Sequence, residues 1–226
     1  MAIAMNQLER FDKVVRNFSP DCSSEGWRIH NNGDGFVHNR ANVHETAYVG
    51  PDAAIFNGFV LDMARVEGNA VVMGNAHLRD FATVRGNALI GGHSVLSDHC
   101  IVEGNVMLFG ESPHVAGYSI IRGNCRISGA GAYIKGASLL EGEIIAFADH
   151  FVSDGAHLEG RIIIALEKTE AKSVANNTPE WMVYNSATTG LLIKAMPHII
   201  EVMNSHFAAQ TNGEEKSLFG HRRYTE

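Results

Sequence analysis

Histidine is the side chain best suited to moving protons near neutral pH, and this chain has 12. His114, next to Pro113 in Gly110-Glu111-Ser112-Pro113-His114, and His93 are side chains of this kind, each able to act as a general base. The carboxylates of Asp62, Asp80 and Asp98 recur at a fixed interval, with Asp154 at the same place later. Carboxylates stacked about 5 Å apart repel each other unless a cation such as calcium binds between them. The simpler expectation is that corner Asp side chains bond nearby backbone amides. Cys22, Cys100 and Cys125 lack the close spacing of a disulfide framework or a zinc knuckle.

The elements that must hold these residues are repeats. Val66-Glu67-Gly68-Asn69-Ala70 returns as Val84-Arg85-Gly86-Asn87-Ala88 and as Val102-Glu103-Gly104-Asn105-Val106. Looser copies start at Ile121, Leu140 and Leu158, so the intervals are 18, 18, 19, 19 and 18 residues. Within each copy the period is six: an aliphatic residue opens a hexad and a small one follows four places later, as in Val66/Ala70, Val72/Ala76 and Leu78/Ala82. No helix has a period of six, whereas three short strands joined by tight corners do. Stacked coils then lie about 4.8 Å apart.

Three faces follow, opened by Val49, Val66 and Val84 on the first, Ile55, Val72 and Ile90 on the second, and Val60, Leu78 and Leu96 on the third. Every change in coil length falls between the second and third faces: a deletion before Val60 and insertions before Val115 and Ile134. His77, His93, His114 and His150 fall on that same segment, and loops that vary carry function more often than core does. Two further ladders are structural in this reading. Glu67, Arg85, Glu103 and Arg122 alternate in charge, and Asn69, Asn87, Asn105 and Asn124 can bond to their own copies. Cys100 and Cys125 occupy the small inward position and belong to the core.

About twenty hexads over residues 37–164 fit this pattern, roughly seven coils. It resembles the left-handed parallel β-helix of the hexapeptide-repeat, acyltransferase-like superfamily. The resemblance implies an all-β left-handed helix, assembled as a homotrimer. It also implies transfer of an acetyl or other acyl group from CoA to a small hydroxyl or amine acceptor. His114 or His93 would be the base, corner amides would steady the oxyanion, and acyl-CoA would be a co-substrate, not a tightly bound cofactor. The alternative on the same fold is a non-catalytic trimeric scaffold, a viral or cell-envelope component, or a binding protein. Two features depart from the catalytic members. The last coil, Leu158-Glu159-Gly160-Arg161-Ile162-Ile163-Ile164, has no Gly/Ala-rich run, and the insertions are single residues. Gamma-class carbonic anhydrases look similar in fold, but the spacing of His93, His99 and His114 does not match their three metal ligands, so no metal is expected.

The ends differ from the repeats. Met5, Leu8, Phe11, Val14, Val15 and Phe18 fall at helical spacing, so 1–36 reads as a helix followed by a Gly-rich capping loop, with Trp27 covering the end of the coils. Residues 165–226 leave the pattern. Thr178-Pro179 suits a helix start, and helices are expected at about 187–195 and 197–208, split at Pro197, before a polar tail. The net charge of −7 argues against a nucleic-acid partner. The N-terminus has no basic and apolar leader, and no apolar run reaches the roughly 18 residues of a membrane span. A reducing, cytoplasmic setting is therefore expected.

Overall fold

The computed structural model describes residues 7–128, 131–147, 150–152 and 155–165, and beyond them the short strands Thr169–Ala171, Val174–Ala175 and Met182–Tyr184. The helices expected at 187–195 and 197–208, the helix start at Thr178-Pro179 and the corner residue Asp154 lie outside the described residues.

Most hexads become strands of two to four residues, and each strand pairs in parallel with its counterpart one coil away. Val84 faces Val66 and Val102, Ile90 faces Val72 and Leu108, and Leu96 faces Leu78 and Val115. The result is a parallel β-solenoid of about six turns. The third face is an eight-stranded sheet. The first two faces form one 16-stranded sheet, because Leu139–Phe147 and His157–Ala165 run without a break around the corner between them. Pairing also continues past Ile164, where the hexad pattern stops: Thr169–Ala171, Val174–Ala175 and Met182–Tyr184 add to the third, first and second faces in turn. Backbone pairing does not need the aliphatic pattern, which is why the sequence hides this last layer.

From Val49 to Leu158 the aliphatic residue that opens each hexad is buried inside the coil, while Val43 at the first coil is half-buried. The small residue sits at the corner, where Ala64, Ala70, Ala76 and Ala82 have no exposed surface. Serine fits there because its hydroxyl donates back to a carbonyl three residues earlier, at 2.6 Å from Ser94 to Gly91 and 2.7 Å from Ser119 to Ala116. Cys100 and Cys125 take the same place, and burial pushes both thiols up to about 12, so neither is a nucleophile.

A solenoid needs a closed end, since open strand edges pair with other chains. Here Leu8–Phe11 is α-helical and Asp12–Arg16 continues as π-helix. The stretch 21–36, expected to be loop, contains the strand Trp27–Ile29, which pairs antiparallel with Phe36–His38 and closes the edge of the second face. Its polar, Gly-rich turn residues mask that strand in the sequence. Trp27 does cover the end of the stack: it packs edge-on with Phe11 at 5.6 Å and with Phe56 at 4.8 Å, above Phe36 and Ala54. Such aromatic pairs are worth about 0.5–1.5 kcal/mol beyond the area they bury.

His30 is buried under this cap. Its Nε2 donates to the Ala47 carbonyl at 2.9 Å, and its Nδ1 has no partner among the described residues. Burial, helped by Arg28 and opposed by the Ala47 bond, holds its pKa below the usual histidine value. Unfolding frees the ring to bind a proton, so His30's contribution is complete above the unfolded value of about 6.5 and is lost as pH falls below it. The melting temperature should therefore drop between pH 7 and 5, and His30→Gln should flatten part of that drop. An unchanged pH slope in the variant would remove His30 from the account.

Candidate functional site

His114 opens the strand His114–Val115 on the third face, at the end of the corner insertion. Val115 points into the core, so His114 points outward. Its register neighbours are Val95 on one side and Tyr133 on the other. The ring is half-buried. Its Nε2 lies 3.4 Å from the Ser97 hydroxyl, and the Tyr133 ring lies alongside at 5.7 Å. Ser97 is almost fully buried, and Tyr133 is exposed. Burial is the main cause that lowers the His114 pKa; Arg79 adds to it and Asp98 opposes it. His114 is therefore a neutral imidazole at neutral pH, able to accept a proton. Nothing in the sequence pattern tied Ser97, Arg79 or Tyr133 to it, although register arithmetic would have placed Tyr133 nineteen residues on.

His93 is not placed with His114 in any contact. It lies in the corner after Gly92, exposed; its backbone N–H donates to Gly110 at 2.9 Å, and its ring has no partner among the described residues. His77 shares the outward column of His114, two coils away, and stacks on Phe59 at 4.3 Å.

The carboxylate ladder has a backbone explanation. Asp62, Asp80 and Asp98 all adopt left-handed conformations, with φ of 55°, 59° and 58°. Each sits in a tight corner, and each carboxylate accepts the amide of the next coil: Asp80 on Asp62 at 3.1 Å, Asp98 on Asp80 at 3.1 Å, and Gly117 on Asp98 at 2.8 Å. Asp is among the few residues that tolerate this conformation. In the next coils Gly117 and Gly136 replace it, with φ of 72° and 78°. Among the described residues, no three His, Cys, Asp or Glu side chains converge as a metal site.

The other two ladders are likewise closed on themselves. Each Asn amide donates to the next, from Asn69 to Asn87, Asn105 and Asn124, at 2.9–3.0 Å. The charge ladder resolves into separate pairs and is not continuous. Arg85 binds Glu103 and Arg122 binds Glu141, both within 2.6 Å, while Glu67 is taken by Arg65. The trench beside these pairs holds both charges in balance, and exposed pairs of this kind contribute 0–1 kcal/mol each.

A fourth ladder emerges only from the structure. Met63, Phe81, His99 and Tyr118 stand above one another at the corner between the third and first faces. Phe81 stacks on His99 at 4.9 Å, and His99 on Tyr118 at 5.0 Å, with planes 14° apart. Met63, Phe81 and Tyr118 are 52–68% exposed. The spacing of 18, 18 and 19 residues was a readable signal, but the residue types differ too much to look like a repeat.

No protein-family model and no curated protein matches the chain. What the site can do is therefore judged from its own geometry. If the Asp column serves the backbone, Asp80→Asn should keep full stability, since an amide oxygen still accepts and Asn tolerates the corner. Asp80→Ala should cost about 1–3 kcal/mol in denaturant unfolding, from strain and an orphaned amide. Millimolar calcium should leave the melting temperature unmoved; a rise of several degrees would restore the cation reading.

Proposed function

We propose that this chain is a non-catalytic, self-associating β-solenoid that works as a scaffold or binding module. The observation that carries this reading is the exposed Met63–Phe81–His99–Tyr118 ladder. Large apolar side chains exposed in one continuous line mark an interaction surface. The partner that fits best is a second copy. A ladder that repeats every coil, about 4.8 Å, meets another with the same repeat at every rung. Half-buried Ile101 and Ile120 on the adjoining first face extend the strip. Three prisms joined along such edges make a closed homotrimer. The polar ladders support the same reading, because their donors and acceptors are turned on neighbouring coils and not toward a substrate.

A second reading is favoured by one observation, the neutral His114 imidazole set against the Ser97 hydroxyl. On that reading His114 takes a proton from a small hydroxyl or amine acceptor as it attacks an acyl-CoA thioester, and the thiolate of CoA leaves. His93, exposed and without a ring partner, has nothing to orient it for that task.

Light scattering of the purified chain should give a trimer mass, and Phe81→Glu with Tyr118→Glu should give a folded monomer. A wild-type monomer at tens of micromolar would overturn self-association. Calorimetry with acetyl-CoA separates the two readings. The scaffold predicts no heat at millimolar CoA, and micromolar binding with turnover lost in His114→Ala would replace it with the enzyme.

A further inference from the structure

Histidine is the side chain whose charge changes near neutral pH, and one stands in the middle of the exposed corner ladder. The His99 ring lies between Phe81, at 4.9 Å, and Tyr118, at 5.0 Å, with both planes 14° from its own. The backbone holds it there, since its N–H donates to the Gly117 carbonyl at 2.9 Å. The residue is exposed, and its ring makes no hydrogen bond or ion pair among the described residues. The stack therefore uses the two faces of the imidazole. Its edge, with both nitrogens, is left for whatever meets the ladder.

We propose that protonation of His99 takes the assembled chains apart, so that the corner ladder is a pH-dependent contact. This inference rests on the self-association reading above. Two arguments fix its direction. The first is hydrogen bonding. Where one ladder meets another rung against rung, His99 meets its own copies. A neutral imidazole has one donor and one acceptor, so neighbouring copies can satisfy each other, as the asparagines do along the stack. An imidazolium has two donors and no acceptor, and copies of like charge repel. The second argument is water. A charged ring is hydrated in the separate chain and loses that hydration between apolar rungs. The attraction of an imidazolium to the faces of Phe81 and Tyr118 does not offset this. The same stack is present in the separate chain, so its effect cancels.

The titratable and charged side chains closest in sequence to the three rings are Arg79, Asp80, Asp98, the Cys100 thiol and the Tyr118 phenol. Asp80 and Asp98 accept the amides of Asp98 and Gly117, and Arg79 lies 3.8 Å from Asp80. These bonds are made within one chain, before any assembly. Cys100 is buried, and Ile101 and Ile120 on the adjoining first face bring no charge. The assembled state therefore binds fewer protons than the separate chains. Association is complete above the ordinary histidine range, near about pH 6.5, and is lost as pH falls through it. With one proton excluded per chain, the association constant of a trimer falls by up to about 1000-fold for each pH unit below that range.

The test sizes the full chain by light scattering at pH 8 and pH 5, with circular dichroism at both. The wild type should be a trimer at pH 8 and a folded monomer at pH 5. His99→Phe continues the stack with no proton to gain, and His99→Gln keeps a donor and an acceptor, so both should stay trimeric at pH 5. His30→Gln, which leaves the ladder intact, should separate as the wild type does. A wild-type trimer at both pH values would overturn the inference and leave self-association standing, whereas a monomer at pH 8 would remove both. Dissociation of the two His99 variants at pH 5, a His30→Gln trimer at pH 5, or loss of the β spectrum along with the mass would each overturn it as well.

Discussion

Along the solenoid axis every coil must offer the next one the same groups at the same height. The backbone sets this demand: Val71 donates to the Ala88 carbonyl, Leu89 to Val106 and Met107 to Cys125, each at 2.8–2.9 Å. Because the partner of each strand is its own repeat, any residue at a given corner meets its counterpart about 4.8 Å away. That condition selects residues able to satisfy themselves. Asn does so with one amide donor and one oxygen, Asp by accepting the next amide, and Arg alternating with Glu by forming pairs. Glycine enters where two backbones come too close for any side chain: a Cβ on Gly86, at φ 80°, would sit 2.8 Å from the Gly104 nitrogen.

The same condition decides what remains for function. The ladder side chains are exposed, yet their donors and acceptors are already engaged with one another or with the backbone of the next coil. Among the described residues two features stand outside the polar ladders: the His114 ring beside Ser97, and the stacked, exposed corner of Phe81, His99 and Tyr118. The second of these is a surface, and it is the feature on which the proposal of self-association rests.

Much of the fold was legible because a period of six admits one kind of solution. The inward aliphatics, the small corner residues and the asparagine ladder all stand where the repeat puts them. The Asp column was legible as far as its backbone role, since Asp at a tight corner has few other uses. Other parts were hidden for physical reasons. The strand Trp27–Ile29 lies among turn residues and forms only because it closes an open edge. The layer past Ile164 pairs through its backbone without the aliphatic code. The charge ladder looked continuous, but Arg65 lies 2.7 Å from Glu67, two residues on in the same coil, and takes it from Arg85. Of the two candidate bases, the sequence could not tell that His114 is set against a hydroxyl while His93 faces solvent. That difference depends on which coil each ring meets.

If the coil is the unit of this protein, one whole coil can be removed without loss of the fold. Deleting residues 66–83 joins Arg65 to Val84 and brings Asp62 to Asp98, Asp52 to Asn87 and Ile55 to Ile90, each the same column one rung on. The measurement is thermal unfolding of the shortened chain followed by circular dichroism. Stacking by self-matching ladders predicts a β spectrum like that of the parent and one cooperative transition, with a modestly lower midpoint. An unfolded or aggregated chain would contradict it, and would mean that the coils are held by contacts particular to each, not by the repeat they share.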